Sequence, residues 1–121
     1  MKLKIILLML SLSILSSCNN SDDVKIAVKD SDDEYQFTAY FDKNKMEKII
    51  KVIDQNIAPT TISSDDDKID VTTTLEDKTK FELEYEPGEV MIKLNKNENS
   101  KSSYFRIKKM CEEIKRTIGE N

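Results

Sequence analysis

The chain has 121 residues, a formal net charge of −4 at pH 7, and 38% hydrophobic against 35% charged residues, which suits one small domain with one modest core. It contains no histidine, two glycines and two cysteines, which excludes histidine acid–base or metal chemistry, glycine-rich phosphate loops and a disulfide framework. The acidic balance, with no lysine or arginine patch interleaved with aromatics, argues against a nucleic-acid partner.

At the N-terminus, Lys2 and Lys4 form a basic region ahead of Ile5–Leu15, an apolar run interrupted only by Ser11 and Ser13. A membrane-spanning helix needs about 20 apolar residues, so this run is too short to span and fits a cleaved secretory signal. Leu15-Ser16-Ser17-Cys18 is an aliphatic residue, two small ones and a cysteine. It resembles the lipobox of bacterial lipoproteins. The resemblance covers residues 1–18 alone, and no family is recognised in the remainder. It implies a signal peptide over 1–17 and acyl chains on Cys18, which becomes the first residue of the mature protein. Two or more buried chains hold a protein at a bilayer where one is marginal. The following Asn19-Asn20-Ser21-Asp22-Asp23 reads as a solvated tether over 18–23. It is similar to the acidic stretch after the lipidated cysteine in surface lipoproteins of Bacteroidota, so display on the cell surface and a periplasm-facing position are both expected possibilities. Loss of Lys2 and Lys4 takes the mature chain to a charge of −6.

Residues 24–121 read as a single domain. Val24, Ile26 and Val28 alternate with polar residues, as do Tyr35, Phe37, Ala39 and Phe41; two strands joined by a polar turn are expected to pair as a hairpin. The period then lengthens. Met46, Ile49, Ile50, Ile53 and Ile57 form a helical stripe, with Asp42 or Asn44 as its cap, and Pro59 bars continuation. Thr60–Lys68 reads as an exposed loop. Ile69/Val71/Thr73/Leu75, Phe81/Leu83/Tyr85 and Val90/Ile92/Leu94 mark three more strands, with turns at Glu76-Asp77-Lys78 and Pro87-Gly88. A last helix carries Tyr104, Ile107, Cys111, Ile114 and Ile118, with Met110 beside the stripe, Ser102 or Ser103 as its cap and Gly119 at its end. The order ββαβββα predicts an α+β, two-layer fold: an antiparallel five-stranded sheet with both helices on one face.

Carboxylates are the one chemical resource left. Asp65, Asp66, Asp67 and Asp70 cluster but lack the ligand alternation, glycine and closing glutamate of an EF-hand loop. Glu82, Glu84 and Glu86 share one face of a strand, which a polar outer sheet face explains without glycosidase chemistry. Cys111 on a core stripe reads as a small buried apolar residue. No catalytic set, metal site or cofactor is expected. Tyr40, Thr72, Thr74 and Met91 are expected on the face opposite the core, which β-propensity explains and a docking surface explains equally.

These readings lead to a non-enzymatic, lipid-anchored binding module of the cell envelope, held to the outer membrane through Cys18. Its expected partner is another envelope protein or an incoming one, as for an inhibitor or immunity protein. An accessory subunit of an envelope complex and a carrier of a small apolar ligand are the alternatives.

Overall fold

The structure, a computed structural model, describes residues 24–62 and 67–120. The signal-like segment, Cys18, the acidic tether, Asp65 and Asp66 lie outside the described residues. Among the described residues the chain forms β1 (Lys25–Asp30), β2 (Glu34–Tyr40), α1 (Met46–Ile57), β3 (Ile69–Thr74), β4 (Lys80–Glu86), β5 (Glu89–Asn95) and α2 (Lys101–Gly119). The five strands make one antiparallel sheet in the order β1-β2-β5-β4-β3. The expected α+β arrangement is therefore what forms. After β2 the chain crosses through α1 to the far edge, then returns strand by strand until β5 pairs with β2.

The inward residues of the sheet and the inward stripes of both helices form one buried cluster. Phe37, Leu83 and Ile92 supply the sheet side; Ile49, Ile53, Ile107 and Ile114 supply the helices. Each such side chain contributes about 1.5–3 kcal/mol by leaving water. Ile50, expected on the α1 stripe, is only partly buried at its flank, because Met46, Ile49, Ile53 and Ile57 already point straight at the sheet. On α2 the difference runs the other way: Met110 is fully buried, while Tyr104 is partly exposed.

Local chemistry sets the element ends. The Asp42 carboxylate accepts from the Asn44 N–H at 2.9 Å and opens a 3₁₀ turn, so Asp42 is the residue that starts this helical segment. The cap of α2 is Ser100, whose Oγ accepts from the Ser103 N–H at 3.1 Å. Neither Ser102 nor Ser103 serves, and the reason is packing. Ser103 is buried inside the first turn, where its Oγ accepts from the Thr79 hydroxyl at 2.7 Å. Nearby, Asn99 grips the start of β4: its Oδ1 accepts from Lys80 N–H at 2.8 Å and its Nδ2 donates to Lys80 O at 3.0 Å. Gly88, at φ +85°, turns the β4–β5 hairpin, and a Cβ there would meet Phe41 O at 3.0 Å. Glycine fits that turn because it alone adopts this conformation without steric cost.

A polar hub ties three elements together at one end of the domain. Arg106 of α2 reaches Asp77 at 2.9 Å and donates to Asn56 O at the end of α1 at 3.0 Å. Asp77 in turn accepts from the Thr79 N–H at 3.0 Å, which holds its carboxyl below the usual range, with the Thr79 hydrogen bonds the main cause and Arg106 a further one. At the opposite end of α2, Lys45 Nζ donates to the carbonyls of Thr117, Ile118 and Glu120, satisfying acceptors that a helix end leaves free.

Candidate functional site

Because side chains alternate across a strand, the face away from the helices is read directly from the pairing. One row runs Lys25–Tyr40–Glu89–Glu86, the next Ala27–Thr38–Met91–Glu84–Asp70, and the next Lys29–Gln36–Lys93–Glu82–Thr72. Thr74 stands opposite Lys80. Tyr40, Thr72, Thr74 and Met91 thus all lie on the open face. They do not form one patch. Tyr40 and Met91 are diagonal neighbours on adjacent strands, about 7–8 Å apart by sheet geometry. Thr72 and Thr74 lie on the edge strand, separated from them by the carboxylates of β4. Tyr40 is 44% exposed and Met91 half-buried, so the first pair offers apolar area and the second offers hydroxyls.

Charge is uneven on the same face. Lys25 and Lys29 stand on β1 and Lys93 and Lys80 toward one end of β5 and β4, whereas Asp70, Glu84, Glu86 and Glu89 gather toward the β4–β5 hairpin, with Glu82 set against Lys93. Glu86 and Glu89 sit directly opposite each other across the hairpin, where like charges repel. The Glu89 carboxyl is pushed up from its ordinary value, chiefly by desolvation and then by Glu86, while a hydrogen bond with Tyr40 pulls it partly back. Lys68 reaches Glu86 at 3.7 Å. Between these groups lies a shallow cavity of about 300 Å³, with Ile69, Tyr85 and Met91 among its apolar lining and Asp70, Glu84 and Glu89 among its acidic lining.

Glu89 is the residue that sequence reasoning missed here. Glu82, Glu84 and Glu86 were legible as one face, but Glu89 joins them only through the hairpin register. A two-residue turn at Pro87-Gly88 carried that information. Chemically the arrangement favours cations, whether a proton or a basic side chain whose methylenes cover the apolar lining. Among the described residues, no group of three or more His, Cys, Asp or Glu side chains is placed to hold a metal ion.

Cys111 is fully buried beside Tyr35, and burial pushes its thiol up to about 12. A thiol held neutral in this way is a poor nucleophile, in keeping with its reading as a core residue. No helix among the described residues is long and apolar enough to cross a membrane. Comparison of the chain with protein-family models, with curated proteins and with solved structures finds no match.

Proposed function

We propose that this protein is a lipid-anchored component of the cell envelope that works by binding another protein through the open face of its sheet. The observation that carries the reading is the asymmetry of the sheet: both helices pack on one side, and the other side presents Tyr40 and Met91 beside a field of carboxylates. Aromatic and methionine side chains are the usual anchors of protein interfaces, and the acidic patch near the β4–β5 hairpin speeds encounter with an oppositely charged partner group. An inhibitor or immunity-type role against a basic target fits that surface. Cys18 is the attachment point in this reading, by its resemblance to a lipobox, and places the domain at the outer membrane, on its periplasmic side or at the cell surface.

The test is site-specific photo-crosslinking in intact cells with the full-length chain. A photoreactive residue at Tyr40 or Thr72 is expected to trap a discrete partner, while one at Lys109 on the exposed side of α2 is not. Trapping from Lys109 alone, or from neither position, overturns the open face as the binding surface. Separately, Cys18→Ala is expected to move the protein out of the membrane fraction; retention there overturns the anchor.

A further inference from the structure

We propose that the outer edge of β1 is a strand-addition site, which takes an extended segment of a partner protein carrying acidic residues at alternate positions. The site is the free main-chain edge of β1, bordered on the open face by Lys25 and Lys29, and its test reads that edge separately from the open face.

Three observations converge on β1. Among the described residues its main chain pairs on one side only, with β2. Ser31 N–H donates to Glu34 O at 2.9 Å, making these two a hydrogen-bonded pair of the ladder. By the alternation of antiparallel pairing, Lys25, Ala27 and Lys29 spend their backbone groups on β2, and Ile26 and Val28 direct theirs outward. A six-residue edge with no proline and no bulge is a ready template for another strand.

Among the described residues nothing covers the apolar side of this strand either. Val24 is 43% and Val28 52% exposed, although both lie on the helix side of the sheet. Beyond them the Tyr104 hydroxyl donates to Asp30 at 2.5 Å, and the Phe105 ring, 55% exposed, rests on Tyr104 with ring centroids 4.9 Å apart. A strand added outside β1 would set its own inward side chains against Val24, Ile26 and Val28, beneath this aromatic pair. The opposite edge differs, since Ile62 packs against the core beside β3.

Charge selects the occupant. Lys25 and Lys29 project from the other side of β1, and cross-strand neighbours of opposite charge are favoured where like charges are penalised. A second copy paired antiparallel with Ala27 at the centre is disfavoured on this ground, because each Lys25 would face the Lys29 of the other copy. Lys29 already reaches Glu34 of β2 at 3.6 Å but keeps most of its side chain exposed, so an acidic, alternating segment can meet Lys25 and share Lys29 while its other face covers the apolar side.

The experiment is residue-resolved hydrogen exchange on the full-length chain in detergent. The probe is a synthetic peptide of about seven residues with strict Glu/Val alternation. Controls are the same composition in blocks and a Lys/Val peptide. The alternating acidic peptide is expected to slow exchange at the Ile26 and Val28 amides by about tenfold or more, leaving Ala27 unchanged. Val28→Pro, which deletes an outward donor on an edge where proline is tolerated, is expected to abolish the effect. Lys25→Glu/Lys29→Glu, two exposed sites that leave the core untouched, is expected to transfer the preference to the Lys/Val peptide. No protection, equal protection by the block peptide, or protection confined to β3 overturns the proposal. Protection already present without peptide also overturns it: independent of protein concentration, it means the chain covers its own edge; rising with concentration, it means a second copy does.

Discussion

β1 and β5 carry the same alternation of apolar and polar residues, yet they sit in opposite surroundings. In β5, Val90, Ile92 and Leu94 are wholly buried beneath the helices; in β1, Ile26 is partly buried and Val28 about half exposed, as is Val24 just before it. The difference comes from position, not from composition. Two helices are narrower than five strands spaced about 4.8 Å apart, and α2 lies over β2 and β5 while α1 packs alongside it. Alternation reveals which side of a strand is apolar. It does not reveal whether anything covers that side.

The sharpest way to test this contrast is to cut equivalent side chains from the two strands. Ile92→Ala removes a fully buried group at the centre of the sheet and is expected to cost about 2–5 kcal/mol in chemical denaturation. Val28→Ala, on the same side of the sheet, is expected to stay within about 0.5 kcal/mol. A comparable loss at both sites would mean that β1 is covered in solution. The same logic makes a charge at Ile49 or Ile53, both fully enclosed, costlier on α1 than one at the partly buried Ile50.

The next effect in size concerns how the covered region is held. Thr79 is wholly buried, and its hydroxyl donates to Ser103. Thr79→Val keeps the shape and leaves Ser103 with only the longer bond from the Ser100 hydroxyl at 3.2 Å, at an expected cost of about 1–2 kcal/mol. Adding Ser103→Ala is expected to cost less than the sum of the two single changes, because the double variant leaves no buried hydroxyl unmatched. Strict additivity would mean the two hydroxyls act independently.

How much of this was legible beforehand follows the same division. The strands, helices and two-layer packing could be read because apolar periodicity is a local signal. The strand order could not, because it depends on which strand β5 meets after two hairpins. Ser102 and Ser103 were the expected caps of α2, and Ser100 serves instead. The choice of Ser100 is set by a threonine 21 positions earlier in the chain that needs Ser103 as a buried partner. On the open face, Tyr40 and Met91 were legible as outward residues. The two expected hairpins already put β4 between Met91 and Thr72 and Thr74; what stayed hidden was that Tyr40 on β2 stands beside Met91, because β2's pairing with β5 is not a local signal.

A smaller effect is expected where β1 meets α2. Asp30 accepts from Lys96 Nζ at 2.7 Å and from the Tyr104 hydroxyl, and these bonds hold its carboxyl below its ordinary value, Lys96 first. The pair is partly exposed, so Asp30→Asn is expected to lower stability by no more than about 1 kcal/mol. It is nonetheless the polar tie between the uncovered strand and the helix. Faster hydrogen exchange at the end of β1, with β5 unchanged, is the expected signature; unchanged exchange throughout would show that β1 is held by its ladder with β2 alone.

The smallest effect distinguishes the two regions by sign. Asp30 and Asp77 are lowered in the folded state, so each contributes stability above its unfolded pKa that disappears as pH falls through the folded one. Glu89 is raised by desolvation and by Glu86, so its ionised form works against the fold. It adds stability as pH falls from above its folded pKa toward the ordinary glutamate value of about 4.3. The wild type is therefore expected to gain slightly in melting temperature on mild acidification from neutrality, before the loss from Asp30 and Asp77 takes over. Glu89→Gln is expected to erase the gain and leave the later loss unchanged. A variant that keeps the gain would locate the repulsion elsewhere on the open face, with Glu84 and Asp70 the next groups to neutralise.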